Sequence, residues 1–193
     1  MLSIAITQER LEAALTAGEL ACPACSGRLS PHGFARSREV RLRHEVRSVT
    51  PRRAYCGACE TTHVLSPAWM VARRRDGAEV IGEALRLAAA GAGHRVIARR
   101  LGRPPGTVRG WLRAARARSG LLRASAVQWA CALDAGELTR VAPAGSSLGD
   151  AVEALAIAVR AWTLRFGNQR AGGWELAVAL TGGLLHGVPP PPP

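Results

Sequence analysis

The chain has 193 residues and a formal net charge of +12, and all 26 of its basic residues are arginine. Hydrophobic residues make up 48% but aromatics only 4%, so alanine and leucine dominate and the chain leans helical. The longest apolar stretches are too short and too glycine-broken to span a bilayer, and Glu9, Arg10 and Glu12 break up any signal-like segment; a cytoplasmic chain with reduced thiols is expected.

Residues 1–20 read as an N-terminal amphipathic helix, from Thr7 as cap to about Gly18, with Leu11, Ala14 and Leu15 on one face. The texture changes over residues 21–66. "ACPACSGRLSPHG" contains Cys22-x-x-Cys25, and "YCGACETTH" repeats the spacing with Cys56-x-x-Cys59. Four thiolates in two such pairs can complete a tetrahedral zinc site, each pair forming one knuckle. Small residues at Pro23, Ala24, Gly27, Gly57 and Ala58 suit the tight turns this needs. Between the pairs Val40, Leu42, His44 and Val46 alternate with charged neighbours, so two or three short antiparallel strands are expected between His32 and Tyr55. The pattern is that of a zinc ribbon, where the metal replaces a core that roughly 40 residues cannot build unaided. A thioredoxin-like redox centre needs one CxxC in a βαβ context, and a catalytic zinc needs an open position that four cysteines close. His63 or His32 could stand in for a cysteine, but four thiols make that unnecessary. Cys131 has no partner and reads as a small buried apolar residue.

Residues 76–120 read as three helices. The first opens at Asp76 with Glu79 three residues on, close to a capping box; it presents Ile81, Ala84, Leu85 and Ala88, and stops at Gly91 and Gly93. "HRVIARRLGRPPGTVRGWLR", from His94 to Arg113, then fits a helix-turn-helix position by position, with helices over Arg95–Leu101 and Pro105–Arg118. Ala98 is the small residue at the helix contact, Gly102 makes the left-handed turn, and Val108 pins the recognition helix. Ile97, Leu101, Trp111 and Leu112 supply the rest of the core. With those turned inward, Thr107, Arg109 and Arg113 face out. Arg109 is the first candidate for a bidentate contact to guanine, while Arg99, Arg100, Arg103, Arg116 and Arg118 are candidates for phosphate contacts. Pro104, Pro105, Gly106 and Gly110 stand where a strongly specific reader carries polar side chains, so specificity is expected to be modest or shared with the ribbon.

The charge follows these modules. From Arg28 to Arg123 there are 21 arginines against six acids, a net of +15, whereas the segments before and after are slightly acidic. A bias toward arginine codons alone would not leave the C-terminal third acidic, so the partner expected of the central module is a polyanion, double-stranded DNA. Residues 124–187 are again helical, with Leu148, Val152, Leu155, Val159, Trp162 and Phe166 at helical spacing and a last helix near Trp174–Leu185. These helices either pack on the three-helix core or form the interface of a homodimer. Residues 188–193 are a proline-rich tail.

An N-terminal zinc ribbon followed by a helix-turn-helix resembles the front end of insertion-sequence transposases. It is more closely similar to a family of small actinobacterial proteins with the same two modules. The resemblance covers residues 22 to about 118 and rests on "CPAC", "SPHGFARSR", "RRAYCGAC", "THVLSP", "RRRDGAEVIGEAL" and the helix-turn-helix. In such transposases these modules bind the element's ends, and a separate carboxylate-triad domain does the chemistry. Here only Asp134, Glu137, Asp150, Glu153 and Glu175 follow Arg123, in helical segments. The resemblance therefore implies DNA binding without strand transfer, and no small-molecule substrate is evident. The expected fold is mainly α with a small β zinc ribbon. The expected function is that of a non-enzymatic DNA-binding protein, either a transcriptional regulator or a mobile-element accessory factor. The alternatives are a transposase remnant working with a separate catalytic protein, or a ribbon that binds RNA or protein.

Overall fold

A computed structural model of the chain describes residues 2–4, 8–140, 142–167 and 172–186; Thr7 and the proline-rich tail lie outside them. The N-terminal part comprises β1 (Leu2–Ile4), α1 (Gln8–Ala17), β2 (Leu29–Phe34), β3 (Arg38–Arg41), β4 (Val46–Val49), β5 (Arg52–Cys56) and β6 (Thr61–Pro67). Strands β1-β6-β5-β2 form one sheet, in which β1 runs parallel to β6 and the other pairs are antiparallel. The alternating stretch around Val40 is a separate antiparallel hairpin, β3–β4, projecting between β2 and β5. Four strands, β2 to β5, thus run between the cysteine pairs where two or three were expected, and β1 and β6 add one on either side.

Helix α1 buries Leu11, Ala14 and Leu15, as its periodicity predicts. Leu11 and Leu15 meet Leu29, Ala54 and Leu65 beside Cys22 and Cys56, and this small cluster is the ribbon's own core. Arg28 closes the helix end: its Nη2 donates to the Ala17 carbonyl at 2.6 Å and its Nε to that of Gly18 at 3.3 Å. A cation there satisfies orphan carbonyls and complements the helix dipole. With Arg52 paired to Glu12 at 3.0 Å, α1 is part of the ribbon rather than a separate segment.

The helical part comprises α2 (Ala78–Ala89), α3 (His94–Leu101), α4 (Pro105–Ala117), α5 (Ser119–Asp134), a short 3₁₀ turn at Ala135–Arg140, α6 (Ser147–Phe166) and α7 (Gly173–Thr181). Gly102 adopts φ 61° at the end of α3, with open space where a Cβ would sit, so backbone conformation alone demands glycine. Pro105 opens α4 at a position where its missing N–H costs nothing. Ser146 caps α6, accepting from the Gly149 amide at 3.0 Å.

One core runs through all of these helices, from Val71 and Ile81 through Trp111 to Leu155 and Leu185. Of the two roles expected for the C-terminal helices, the structure shows the first: they pack on the three-helix core. A boundary near residues 120–124 falls inside α5, because Gly120 does not interrupt the helix. Trp174 of α7 lies so close to Gly82 of α2 that a Cβ there would sit 2.0 Å from its ring. The expected capping box at Asp76 does not form: Gly77 is the N-cap, and no side chain bonds the first turn.

The connection between ribbon and helices is also built in. Ala68 and Val71 belong to the helical core, and the Ala78 amide donates to the Trp69 carbonyl at 2.8 Å. The Arg47 guanidinium of the hairpin stacks over the Trp69 ring at 5.1 Å. Because α7 is keyed onto α2, Gly82→Val should overpack that contact and destabilise the chain by about 1–3 kcal/mol, read as a lowered Tm. An unchanged Tm would mean that α7 does not dock there.

Candidate metal centre and nucleic-acid interface

The four cysteines come from two similar turns. Cys22 and Cys25 flank the turn before β2; Cys56 ends β5 and Cys59 lies in the turn before β6. Within the first turn the Cys22 amide donates to Gly27 at 2.7 Å and the Ser26 amide to Cys22 at 2.8 Å, while the Ala24 amide points at the Cys22 sulfur at 3.4 Å. The residue directly after each pair is left-handed although neither is glycine: Ser26 has φ 60° and Glu60 φ 54°. Such positions cost of order 1–3 kcal/mol and persist only where the surroundings impose them. The two knuckles thus share one backbone shape.

All four sulfurs lie within 4.8 Å of one another, with Cys22–Cys59 at 3.7 Å and Cys25–Cys56 at 3.5 Å. Sulfurs about 2.3 Å from a central tetrahedral ion would be about 3.8 Å apart, and a disulfide would need about 2.05 Å. The spacing fits a metal ion such as zinc and excludes disulfides. Without metal the cluster holds its protons unevenly. At Cys25 the Gly27 backbone pulls the pKa down, but the neighbouring thiols and burial outweigh it and push the thiol up to about 12. At Cys59 the Thr61 hydroxyl, helped by the other thiols, lowers it to about 7.

His63, which the four thiols make unnecessary as a ligand, nevertheless stands next to the cluster. It lies outside the four-sulfur cluster, buried on β6, with Nε2 3.3 Å from the Cys22 sulfur. Burial lowers its pKa, and with its proton on Nε2 the ring donates to the Cys22 sulfur. It supports a ligand rather than replacing one. His32 instead packs its ring against Tyr55 at 5.5 Å. Cys131 is exposed, contrary to the buried position expected of it.

On the helical side, Val108, Trp111, Leu112 and Ala115 are all buried, and Arg109, Arg113 and Arg116 are exposed along the opposite side of α4. Thr107 is half-buried beside them, and Arg99 and Arg100 are exposed on α3. Neither helix contains an acidic residue. Two expected phosphate contacts need correction. The Arg103 side chain is only 14% exposed and points inward, with Nε donating to Asp76 Oδ1 at 2.6 Å and Nη2 to the Leu42 carbonyl at 3.0 Å. Arg118 is half-buried, its Nε and Nη2 enclosed by protein, and burial lowers its pKa.

Asp76 is the joint between the two parts. Its carboxylate is 2% exposed and takes Arg41 of the hairpin on Oδ2 at 2.7 Å and Arg103 of the turn on Oδ1 at 2.6 Å. Backbone bonds run alongside, from Arg41 N to Arg75 O at 2.6 Å and from Gly77 N to Arg41 O at 3.0 Å. Removing one partner of a buried pair strands the others and costs about 3–5 kcal/mol.

The helices α2 to α4, the left-handed Gly102 and the outward arginines now stand together. Residues 79–125 match the homeodomain-like domain family. This segment is a homeodomain-like helix-turn-helix. No curated protein and no solved structure matches the chain. The match runs past α4 into α5, which agrees with a helix-turn-helix whose core continues into the C-terminal helices. A homeodomain-like helix-turn-helix is a DNA-binding unit, with α4 in the place of the recognition helix.

Two outcomes follow for the metal centre. His63→Ala should weaken metal binding roughly tenfold without abolishing it, the usual cost of losing a group that supports a ligand. Because ligand thiols must lose protons to bind metal, and the neighbouring thiols push that of Cys25 up, apparent affinity should rise about tenfold or more per pH unit from pH 6 to 8. Competition with a chromophoric chelator across that range measures both; a pH-independent affinity would contradict the thiol assignment.

Proposed function

We propose that the protein is a zinc-bound, sequence-reading DNA-binding protein that acts as a transcriptional regulator or as an accessory factor of a mobile element. The observation that carries this reading is the exposed row Arg109, Arg113 and Arg116 on α4, with Arg99 and Arg100 on the helix before it and no carboxylate on either. In this reading α4 lies in the major groove, with Thr107 and Arg109 at its N-terminal half facing base edges. Arg109 reads guanine bidentately, and Arg99, Arg100 and Arg116 hold phosphates, which position the protein without specifying sequence. Zinc, when bound by Cys22, Cys25, Cys56 and Cys59, supplies no chemistry to a substrate; it folds the ribbon.

Three of the five acids after Arg123, Asp134, Glu137 and Asp150, are engaged in local structure, which supports a binding role over a catalytic one. Glu137 is buried between Arg140 and Arg160, and Asp150 accepts the Ala144 amide. No helix among the described residues is long and apolar enough to cross a membrane, in keeping with a protein that works on chromosomal DNA in the cytoplasm. The resemblance to transposase front ends keeps a second form of the reading in view, in which a separate catalytic protein acts at the site this one marks.

The test is a selection of binding sites from random duplexes with the full chain, followed by titrations. Metal analysis should find one zinc per chain, lost in Cys25→Ser and Cys56→Ser. Arg109→Ala should cost roughly 1–3 kcal/mol on the selected site and relax the choice of base there. Arg99→Ala should weaken all duplexes alike and flatten the salt dependence by about one unit. A wild-type chain that enriches no duplex would overturn the proposal.

A further inference from the structure

The sequence places every named DNA contact in the helix-turn-helix and only allows the ribbon a share in specificity; the fold places the ribbon's hairpin beside it. Leu42 N donates to Glu45 O at 2.8 Å, closing a tight turn that leaves Arg43 and His44 exposed at the tip. The Asp76 joint holds this tip against the end of α3. Between them lies a cleft of about 490 Å³ whose walls are Arg43 and His44 on one side and Arg99, Arg100 and the Gly102 turn on the other. The Glu83 carboxyl reports the same proximity: it is lowered mainly by its bond to Arg86, and Arg100 and Arg43 both act on it as well.

The charge of the cleft is lopsided. Arg43, Arg99 and Arg100 stand against one lining carboxylate, Glu79, and none of the three arginines forms an ion pair among the described residues. Arg103 also lines the cleft but is matched by Asp76. Three cations gathered from two modules beside fewer carboxylates, Glu79 in the wall and Glu83 close by, repel one another unless a further anion joins them. The position of the cleft names the anion. Its wall includes Gly102 and Arg103, and the next residues open α4, so the cleft borders the end of the recognition helix that enters the groove. A groove about 12 Å wide brings its flanking phosphates to that position.

We propose that this cleft is a composite phosphate site for the DNA backbone flanking the groove that α4 reads, so that the ribbon's hairpin is itself part of the DNA interface. The Asp76 joint sets the spacing of the two walls. The inference rests on the DNA-binding reading above and adds a second module to it. It gives the ribbon a task in binding beyond being a folded neighbour.

The test is fluorescence titration of the full-length, zinc-loaded chain against a labelled duplex of the selected sequence and a scrambled one, at several salt concentrations. Arg43→Ala should weaken both duplexes alike and lower the log–log salt slope by about one unit, because one neutralised phosphate contributes a slope of about −0.9. Raising salt fourfold should then weaken the variant about three- to fourfold less than the wild type. Arg43→Glu should weaken binding further still. Arg165→Ala, an exposed arginine on α6, should leave the slope unchanged. Zinc content and melting temperature confirm that each variant is folded. Wild-type slopes in both Arg43 variants would overturn the composite site while leaving the helix-turn-helix reading intact. An equal loss in Arg165→Ala would also overturn it, by reducing the effect to net charge. A wild type that binds no duplex would instead be a failure of the underlying reading.

Discussion

The interaction on which the arrangement of this protein depends is the buried carboxylate of Asp76, held between Arg41 and Arg103. Each arginine belongs to a different module. Burying a carboxylate to 2% exposure is costly unless it is paired and hydrogen-bonded, and the two arginines do both. The pairing therefore fixes where the hairpin lies relative to the turn of the helix-turn-helix. The backbone bonds between Arg41 and residues 75 and 77, and the stacking of Arg47 over Trp69, work in the same direction. Ribbon and helices form one body.

Within that body the two halves are stabilised differently. The helical half has an ordinary core, extended by α5, α6 and α7 around the three helices that match the homeodomain-like family. The ribbon has only a small cluster under α1, and its two knuckles hold Ser26 and Glu60 in backbone conformations that side chains disfavour. A metal held by four thiolates is what such a segment needs, since metal binding there is also folding free energy. His63, reaching the Cys22 sulfur from β6, ties the far strand of the sheet to the same centre.

Much of this was legible in the sequence because the relevant signals are local. The CxxC pairs, the turn glycine at 102 and the inward set Val108, Trp111 and Leu112 are each defined by spacing within a few residues. What was not legible is long-range. The parallel pairing of β1 with β6 brings together residues some sixty apart, and no local pattern announces it. Asp76 followed by Glu79 has the grammar of a helix cap, and only the tertiary fold turns that side chain toward two arginines. The same holds for Arg103, which on a helical wheel is one more basic residue. The boundary expected between residues 120 and 124 is likewise absent, since α5 begins at Ser119 and runs through it with its buried residues packed along α6.

The central claim is that a metal-organised ribbon and a helix-turn-helix are joined rigidly through Asp76. It is tested most directly by ¹⁵N relaxation of the zinc-loaded chain and of Asp76→Asn. The account predicts a single rotational correlation time for amides of the ribbon and of α2–α4 in the wild type. In the variant, with zinc still bound, the ribbon amides should acquire a shorter one. Two separate correlation times in the wild type, or one shared time that survives the loss of the carboxylate, would contradict it.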